Sequence, residues 1–137
     1  MVSTCTLSTS KQSHLIYKGN VMNTLRKVLL FDECPYWEGK LRSMIDGKMA
    51  IVLITPLTIG RQLGSIDISQ FDAVVVDASF PYATRIISKI RADFVGPIIV
   101  NFSDGFVHRE LTEASCSYYC VGNELPGVLM GLLGFSV

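Results

Sequence analysis

Several kinds of site are missing from this sequence. Histidine is scarce, and His14 and His108 lie far apart along the 137 residues. The four cysteines form no C-x-x-C motif: Cys5, Cys34, Cys116 and Cys120. Because zinc sites and dithiol redox sites depend on such spacings, the pattern favours neither. The simplest interpretation is that the cysteines are small buried thiols in a reducing compartment.

Long apolar runs and acidic N-terminal residues are also missing. No run approaches the roughly 20 residues that span a bilayer, and polar residues interrupt the N-terminus where a secretory signal would be apolar. We therefore expect a cytoplasmic protein with no membrane contact. The first 31 residues contain no acid, which leaves eight of the twelve basic residues and all twelve acidic residues for the remainder. A mildly acidic domain lacks a surface for phosphate backbones, so we expect no direct nucleic-acid binding.

The composition is that of a folded globular protein. Hydrophobic residues make up 49% of the chain and charged residues 18%. A chain of this length suits one domain. Seven of the first thirteen residues are Ser or Thr, with no apolar periodicity. We predict a flexible tail over residues 1–24 and a folded domain over 25–137, and Met22 is a candidate for an alternative start.

Short apolar runs alternate with helical patterns along the predicted domain. We predict strands at 27–31, 49–54, 72–76, 97–100 and 117–121, and helices at 35–47, 58–63, 81–91, 104–114 and 124–137. This alternation is typical of right-handed βαβ units in an α/β protein with a parallel sheet. The flavodoxin-like, doubly wound order 2-1-3-4-5 fits five strands best. In that order the functional crevice lies beyond the carboxyl ends of strands 1 and 3.

Both of those strands end in acid. Asp32 and Glu33 follow the first strand, and Asp77 follows the third. Nearby loops lack the glycine-rich motifs that hold phosphates, whereas carboxylates suit a hard cation such as Mg²⁺. A metal-neutralised Asp77 has the chemistry to attack a phosphoryl group. Each acid alone is equally well explained as a helix cap or a solvated residue, but three together favour a site.

Four segments carry a family resemblance. They are the acidic pair Asp32-Glu33, the segment Asp77-Ala-Ser-Phe-Pro81, the strand Pro97-Ile-Ile-Val100, and residues 114–119. The second is similar to the D-x-x-[M/F]-P motif of the receiver domain of bacterial response regulators, and residues 26–137 as a whole resemble that domain. The resemblance implies a non-enzymatic module of a two-component phosphorelay, with Asp77 as phosphoacceptor.

The resemblance also implies ligands and partners. Mg²⁺ would be held by Asp32, Glu33, Asp77 and the backbone carbonyl of Ser79. The phosphoryl donor would be a histidine kinase or phosphotransfer protein. We expect no output domain after the receiver-like region, and we therefore expect the output to be contact with a downstream partner protein.

Two departures from the receiver pattern leave an alternative open. Receivers carry Thr or Ser five residues after the proline of strand 4, where this chain has Phe102; Ser103 matches only after a one-residue shift. They also carry a Lys after strand 5, but Lys89 is the last lysine here. The alternative is a pseudo-receiver, an interaction domain that works without phosphorylation. A metal-dependent hydrolase on the same fold is disfavoured, because a second base and a phosphate clamp are missing.

Two further predictions concern the C-terminal part. The last helix is apolar almost throughout, and Leu129 and Leu133 lie four residues apart on one of its faces. We expect a homodimer or partner contact through this helix. Tyr118 and Tyr119 are adjacent on a strand, so one should be buried and the other exposed.

Overall fold

Five short apolar strands form one parallel sheet in a computed structural model, which describes residues 25–33, 36–44, 48–113 and 116–134. The strands are β1 Arg26–Phe31, β2 Met49–Ile54, β3 Ala73–Asp77, β4 Ile98–Phe102 and β5 Tyr118–Val121. Their order is β2-β1-β3-β4-β5, and every neighbouring pair is parallel. The predicted flavodoxin-like order is therefore confirmed. The tail predicted over 1–24 lies outside the described residues, as do the helix ends predicted at Pro35 and Gly47.

Helices connect the strands and cover both faces of the sheet. They are α1 Tyr36–Met44, α2 Ile59–Gln62, α3 Ala83–Arg91, α4 Arg109–Thr112 and α5 Leu125–Leu133, with 3₁₀ turns at Leu63–Ser65 and Ile68–Gln70 between α2 and β3. None of the helices in the described part of the chain is long and apolar enough to cross a membrane.

The fourth helix is shorter than the predicted span of 104–114. Asp104 accepts a hydrogen bond from the backbone N–H of Phe106 at 2.9 Å, and Gly105 adopts a positive φ of 87°. Asp104 and Gly105 therefore form a turn, because a left-handed residue and a side chain bonded to the backbone both oppose helix formation. The helix starts only after His108, which is exposed.

Two apolar layers pack against the two faces of the sheet. Alternate strand residues point to opposite faces, as the pleat requires. One layer packs under α3 and contains Phe31, Val74, Val76, Ile87, Ile98, Val100 and Phe102. The other packs under α1 and α5 and contains Val28, Leu30, Trp37, Leu41, Val75, Ile99, Leu125 and Leu129. Burying each large side chain stabilises the fold by about 1.5–3 kcal/mol.

The apolar face of α5 belongs to this core. Leu129 and Leu133 are 0% and 2% exposed and pack in the layer beneath α1 and α5. The expectation that these two leucines form a docking face is therefore wrong. A nearly all-apolar helix pattern does not distinguish a docking face from a face that covers a fully apolar sheet.

The adjacent tyrosines of β5 point to opposite faces of the sheet, as predicted, but neither is fully buried. Tyr118 is partly buried against the layer beneath α1 and α5, whereas Tyr119 is exposed and lies edge-on to Phe102 with ring centroids 5.8 Å apart.

Candidate functional site

A cleft of about 310 Å³ opens at the carboxyl edge of the sheet. The loops that follow β1, β3, β4 and β5 converge there, as the reversal of strand order between β1 and β3 leads one to expect. The lining residues are Asp32, Glu33, Tyr36, Trp37, Asp77, Ser79, Ser103 and Asn123. Five of them were predicted as site residues from the sequence: Asp32, Glu33, Asp77, Ser79 and Ser103.

Asp77 lies at the floor of this cleft. It is the last residue of β3, one residue beyond the predicted strand, because it continues the ladder opposite Asn101. Its side chain is only 4% exposed. Ser103 Oγ donates to Asp77 Oδ1 at 2.9 Å, and Ser79 Oγ donates to Asp77 Oδ2 at 2.5 Å. Among the described residues, no basic side chain forms an ion pair with Asp77.

The loop after β3 holds Ser79 in place through Phe80. The Phe80 N–H donates to the backbone carbonyl of Asp77 at 2.9 Å, which closes a tight turn. The Phe80 ring is 3% exposed and packs edge-on against Phe31 with a centroid distance of 5.5 Å. A buried aromatic anchor therefore fixes the turn that presents the Ser79 hydroxyl to Asp77.

Asp32 has a structural role as well as a place in the cleft. It is 3% exposed, and its Oδ2 accepts a hydrogen bond from the Trp37 N–H at 3.2 Å. One carboxylate oxygen therefore satisfies a free N–H in the first turn of α1, where the helix dipole favours negative charge. The prediction that an acid at this position caps the following helix is therefore confirmed for Asp32 Oδ2.

Glu33 is exposed on the rim of the same cleft. The described residues contain no group of three or more His, Cys, Asp or Glu side chains arranged to hold a metal ion. Mg²⁺ in proteins is usually held by one or two carboxylates together with waters. Asp32 and Asp77 provide two buried carboxylates on adjacent strands, so the donor chemistry fits that arrangement rather than a cage of three acids.

Ser103, and not Phe102, is the residue after β4 that corresponds to the Thr or Ser of receivers and brings a hydroxyl into the cleft. Phe102 is 0% exposed and points into the layer beneath α3. The next residue lies beyond the end of β4, which brings the Ser103 hydroxyl to Asp77. Counting five residues from Pro97 reaches Phe102, one residue before the hydroxyl. Side chains alternate along β4, so Phe102 points away from the face that carries Asp77 and the residue after it can reach Asp77.

The sequence patterns did not identify Asn123 as part of the cleft. It lies two residues beyond β5, in the turn where Gly122 has a φ of 61°. The Gly122 N–H donates to the carbonyl of Phe102 at 3.1 Å, which draws this turn over the end of β4. The signal that identified the acids, a polar residue just beyond a buried strand, applies equally to Asn123. Tyr36 and Trp37, at the start of α1, also line the cleft.

Cys120 adds no charge beneath this edge of the sheet. It is 1% exposed, and burial, followed by the nearby Glu124 carboxylate, raises the pKa of its thiol to about 12. The thiol therefore remains protonated at neutral pH and acts as a weak donor.

No protein-family model matches this sequence, and no curated protein is significantly similar to it. Among solved structures, the response regulator ChrA of a haem-sensing two-component system is similar, with a TM-score of 0.56 and 19% sequence identity. The match covers 80% of this chain and 55% of ChrA. The chain has a receiver-like fold. At this identity the likeness shows the fold and leaves the chemistry of the cleft to its own residues.

Proposed function

We propose that this protein is a receiver-like signalling module that accepts a phosphoryl group on Asp77 and acts through protein–protein contact. The observation that carries the proposal is the position of Asp77: a carboxylate 4% exposed, at the floor of the carboxyl-edge cleft, with a hydroxyl on each oxygen. Hydroxyls that hold a carboxylate in one orientation preorganise it for attack on an incoming phosphorus atom.

The proposed reaction is the transfer of a phosphoryl group to the carboxylate of Asp77. One oxygen of Asp77 bonds to the phosphorus of the donor, the bond from phosphorus to the leaving group breaks, and Asp77 becomes an acyl phosphate. The Ser79 and Ser103 hydroxyls are then free to turn toward the phosphoryl oxygens. A Mg²⁺ ion held by Asp32 and Asp77, with Glu33 and the Ser79 carbonyl as further oxygen ligands, would neutralise the charge that builds up between the carboxylate and the phosphoryl group.

Exposed apolar side chains around the cleft support a protein donor or partner. Of the eight large hydrophobic residues that are exposed in the described part of the chain, five lie in the segments that follow β1 to β4 at this edge: Tyr36, Leu57, Tyr82, Phe106 and Val107. Such a concentration is typical of a protein-binding surface. A histidine kinase or phosphotransfer protein would reach Asp77 across it.

The second candidate function is a pseudo-receiver, and the turn after β5 favours it. At the end of β5 this chain has Gly122 with a φ of 61°, where a lysine would be in a conformation that L-residues rarely adopt. A charge-assisted hydrogen bond to the phosphoryl group is therefore missing there, a contribution of about 1.5–3 kcal/mol.

Labelling with acetyl phosphate and Mg²⁺, followed by intact mass measurement, decides between the two. We expect the native chain to gain one phosphoryl mass slowly, Asp77→Asn to gain none, and Gly122→Lys to label faster despite a strained backbone. Asp72→Asn, just before the opposite end of β3, is the matched control and should label like the native chain. A native chain that stays unlabelled while Gly122→Lys labels identifies a pseudo-receiver. If neither labels, Asp77 is not a phosphoacceptor.

A further inference from the structure

The buried polar side chains in the described part of the chain are Asp32, Asp77 and Asn101, at 3%, 4% and 1% exposure. They form one row across the sheet. Phe31 is paired with Val76, so the next residues, Asp32 and Asp77, are neighbours, and Asp77 is paired directly with Asn101. Adjacent strands lie about 4.8 Å apart, and paired residues of parallel strands point to the same face.

Asn101 is the one member of this row with no explanation in the chemistry proposed above. Its Oδ1 accepts a hydrogen bond from Cys120 Sγ at 3.5 Å, and its Nδ2 has no partner. Because Cys120 is a protonated thiol, it donates, and the amide oxygen is the atom that belongs on the β5 side. Both N–H groups of Asn101 therefore remain available in the strand position beside Asp77.

Packing does not account for an amide at this position. The same face of the sheet carries Val75 and Ile99, and Leu125 of α5 packs in the layer that covers it; all three are fully buried and apolar. An apolar side chain of similar volume would fill the space with no unpaired donor, and a buried donor without a partner lowers stability. Departures from the rules of core packing are expected at functional sites, which is where the row beside Asp77 places this amide.

We propose that Asn101 is a positioning residue for Asp77, whose amide donates to the Asp77 acyl oxygen when the phosphoryl group is attached; this inference rests on the proposed function. In the unmodified protein the Ser79 and Ser103 hydroxyls occupy both oxygens of Asp77. Once those hydroxyls turn to the phosphoryl oxygens, the remaining acyl oxygen has lost its hydroxyl donor, and with two lone pairs it can accept a hydrogen bond even where it also binds Mg²⁺. Asn101 supplies it from the adjacent strand and compensates in part for the missing lysine.

Beryllofluoride with Mg²⁺, a stable mimic of the attached phosphoryl group, tests this on the full chain. Binding is followed by the fluorescence of Trp37, the single tryptophan, in the native protein, Asn101→Leu and Val100→Ala. Val100 is the matched control, since it is fully buried on the same strand and faces the opposite layer. We expect Asn101→Leu to keep its thermal stability and to bind about tenfold more weakly, because the buried acyl oxygen of Asp77 is left without a donor in the bound state. Val100→Ala should lose stability and bind like the native chain.

A second measurement reports on the amide itself. In ¹⁵N-labelled protein, the Asn101 side-chain N–H₂ signals are assigned by their absence in Asn101→Leu, and they should shift when beryllofluoride and Mg²⁺ are added. If the native chain binds, Asn101→Leu binds equally well and the amide signals do not move, this inference is overturned and the proposed function stands. If the native chain neither binds beryllofluoride nor is labelled by acetyl phosphate, the proposed function fails and the inference fails with it.

Discussion

Replacing Asp77 by asparagine removes one of two negative charges buried side by side. Asp32 and Asp77 are 3% and 4% exposed. They are neighbours, because each is the next residue after the pair Phe31 and Val76 of the adjacent strands β1 and β3. For two charges at the spacing of adjacent strands, about 4.8 Å, an effective dielectric constant of about 20 gives a repulsion of about 3.5 kcal/mol. Asp77→Asn relieves that repulsion in metal-free buffer.

The same replacement weakens two hydrogen bonds. In the native chain the Ser79 and Ser103 hydroxyls both donate to the carboxylate. In Asp77→Asn one hydroxyl can donate to the amide oxygen and the other must turn to accept from the amide N–H₂, and each bond is weaker by about 1 kcal/mol because its partner is neutral. Two such losses, about 2 kcal/mol together, offset more than half of the relief of repulsion. We expect Asp77→Asn to be neutral or more stable than the native chain by up to about 1.5 kcal/mol without metal.

In the presence of Mg²⁺ the native chain should become more stable than Asp77→Asn. At a free Mg²⁺ concentration ten times its Kd, binding to the folded state alone adds about 1.4 kcal/mol to the native chain. Asp77→Asn should gain much less, because the proposed Mg²⁺ site then lacks one of its carboxylates. Urea unfolding in EDTA and in Mg²⁺, followed by Trp37 fluorescence, measures both differences.

Asp72→Asn serves as the control for the loss of charge. Asp72 lies just before β3, at the other end of the strand, where its Oδ2 accepts from the Lys27 N–H at 2.8 Å. Its response to Mg²⁺ should equal that of the native chain. The reasoning is refuted if Asp77→Asn loses more than about 1 kcal/mol in EDTA, which indicates a structural role. An equal Mg²⁺ gain in Asp77→Asn and native protein refutes the metal site.

Two further predictions follow from burial. Leu129→Glu should unfold the protein, because it places an unpaired charge at a 0% exposed core position. Gly127→Glu is the control, since Gly127 lies on the exposed side of α5 where an added side chain meets open space, and it should fold normally. Circular dichroism measures both. Burial raises the pKa of Cys120 from 9.0 to about 12, so folding favours the protonated thiol: its contribution to stability is full below about pH 9 and falls as the pH rises toward 12. Urea unfolding between pH 8 and about 11 should show this decline in the native chain and a smaller one in Cys120→Val; equal slopes would contradict the assignment.

The sequence by itself determined the architecture and the acidic edge. Buried parallel strands must be continuous apolar runs, because helices cover both faces of such a sheet, so β1 to β5 stand out from the helical segments between them. The polar residue that ends each run then marks the carboxyl edge, which is how Asp32 and Asp77 were found.

Tertiary structure alone decided which residues meet. Periodicity shows that a helix has an apolar face but not what covers it, so Leu129 and Leu133 were assigned to a docking surface and proved to be core. Strand register, set by pairing with neighbours far away in sequence, moved the hydroxyl position from Phe102 to Ser103 and put Asn101 beside Asp77. The role of a polar residue inside an apolar strand can be inferred only when its cross-strand neighbours are known. Its hydrogen-bond partners come from other strands and not from the residues next to it in sequence.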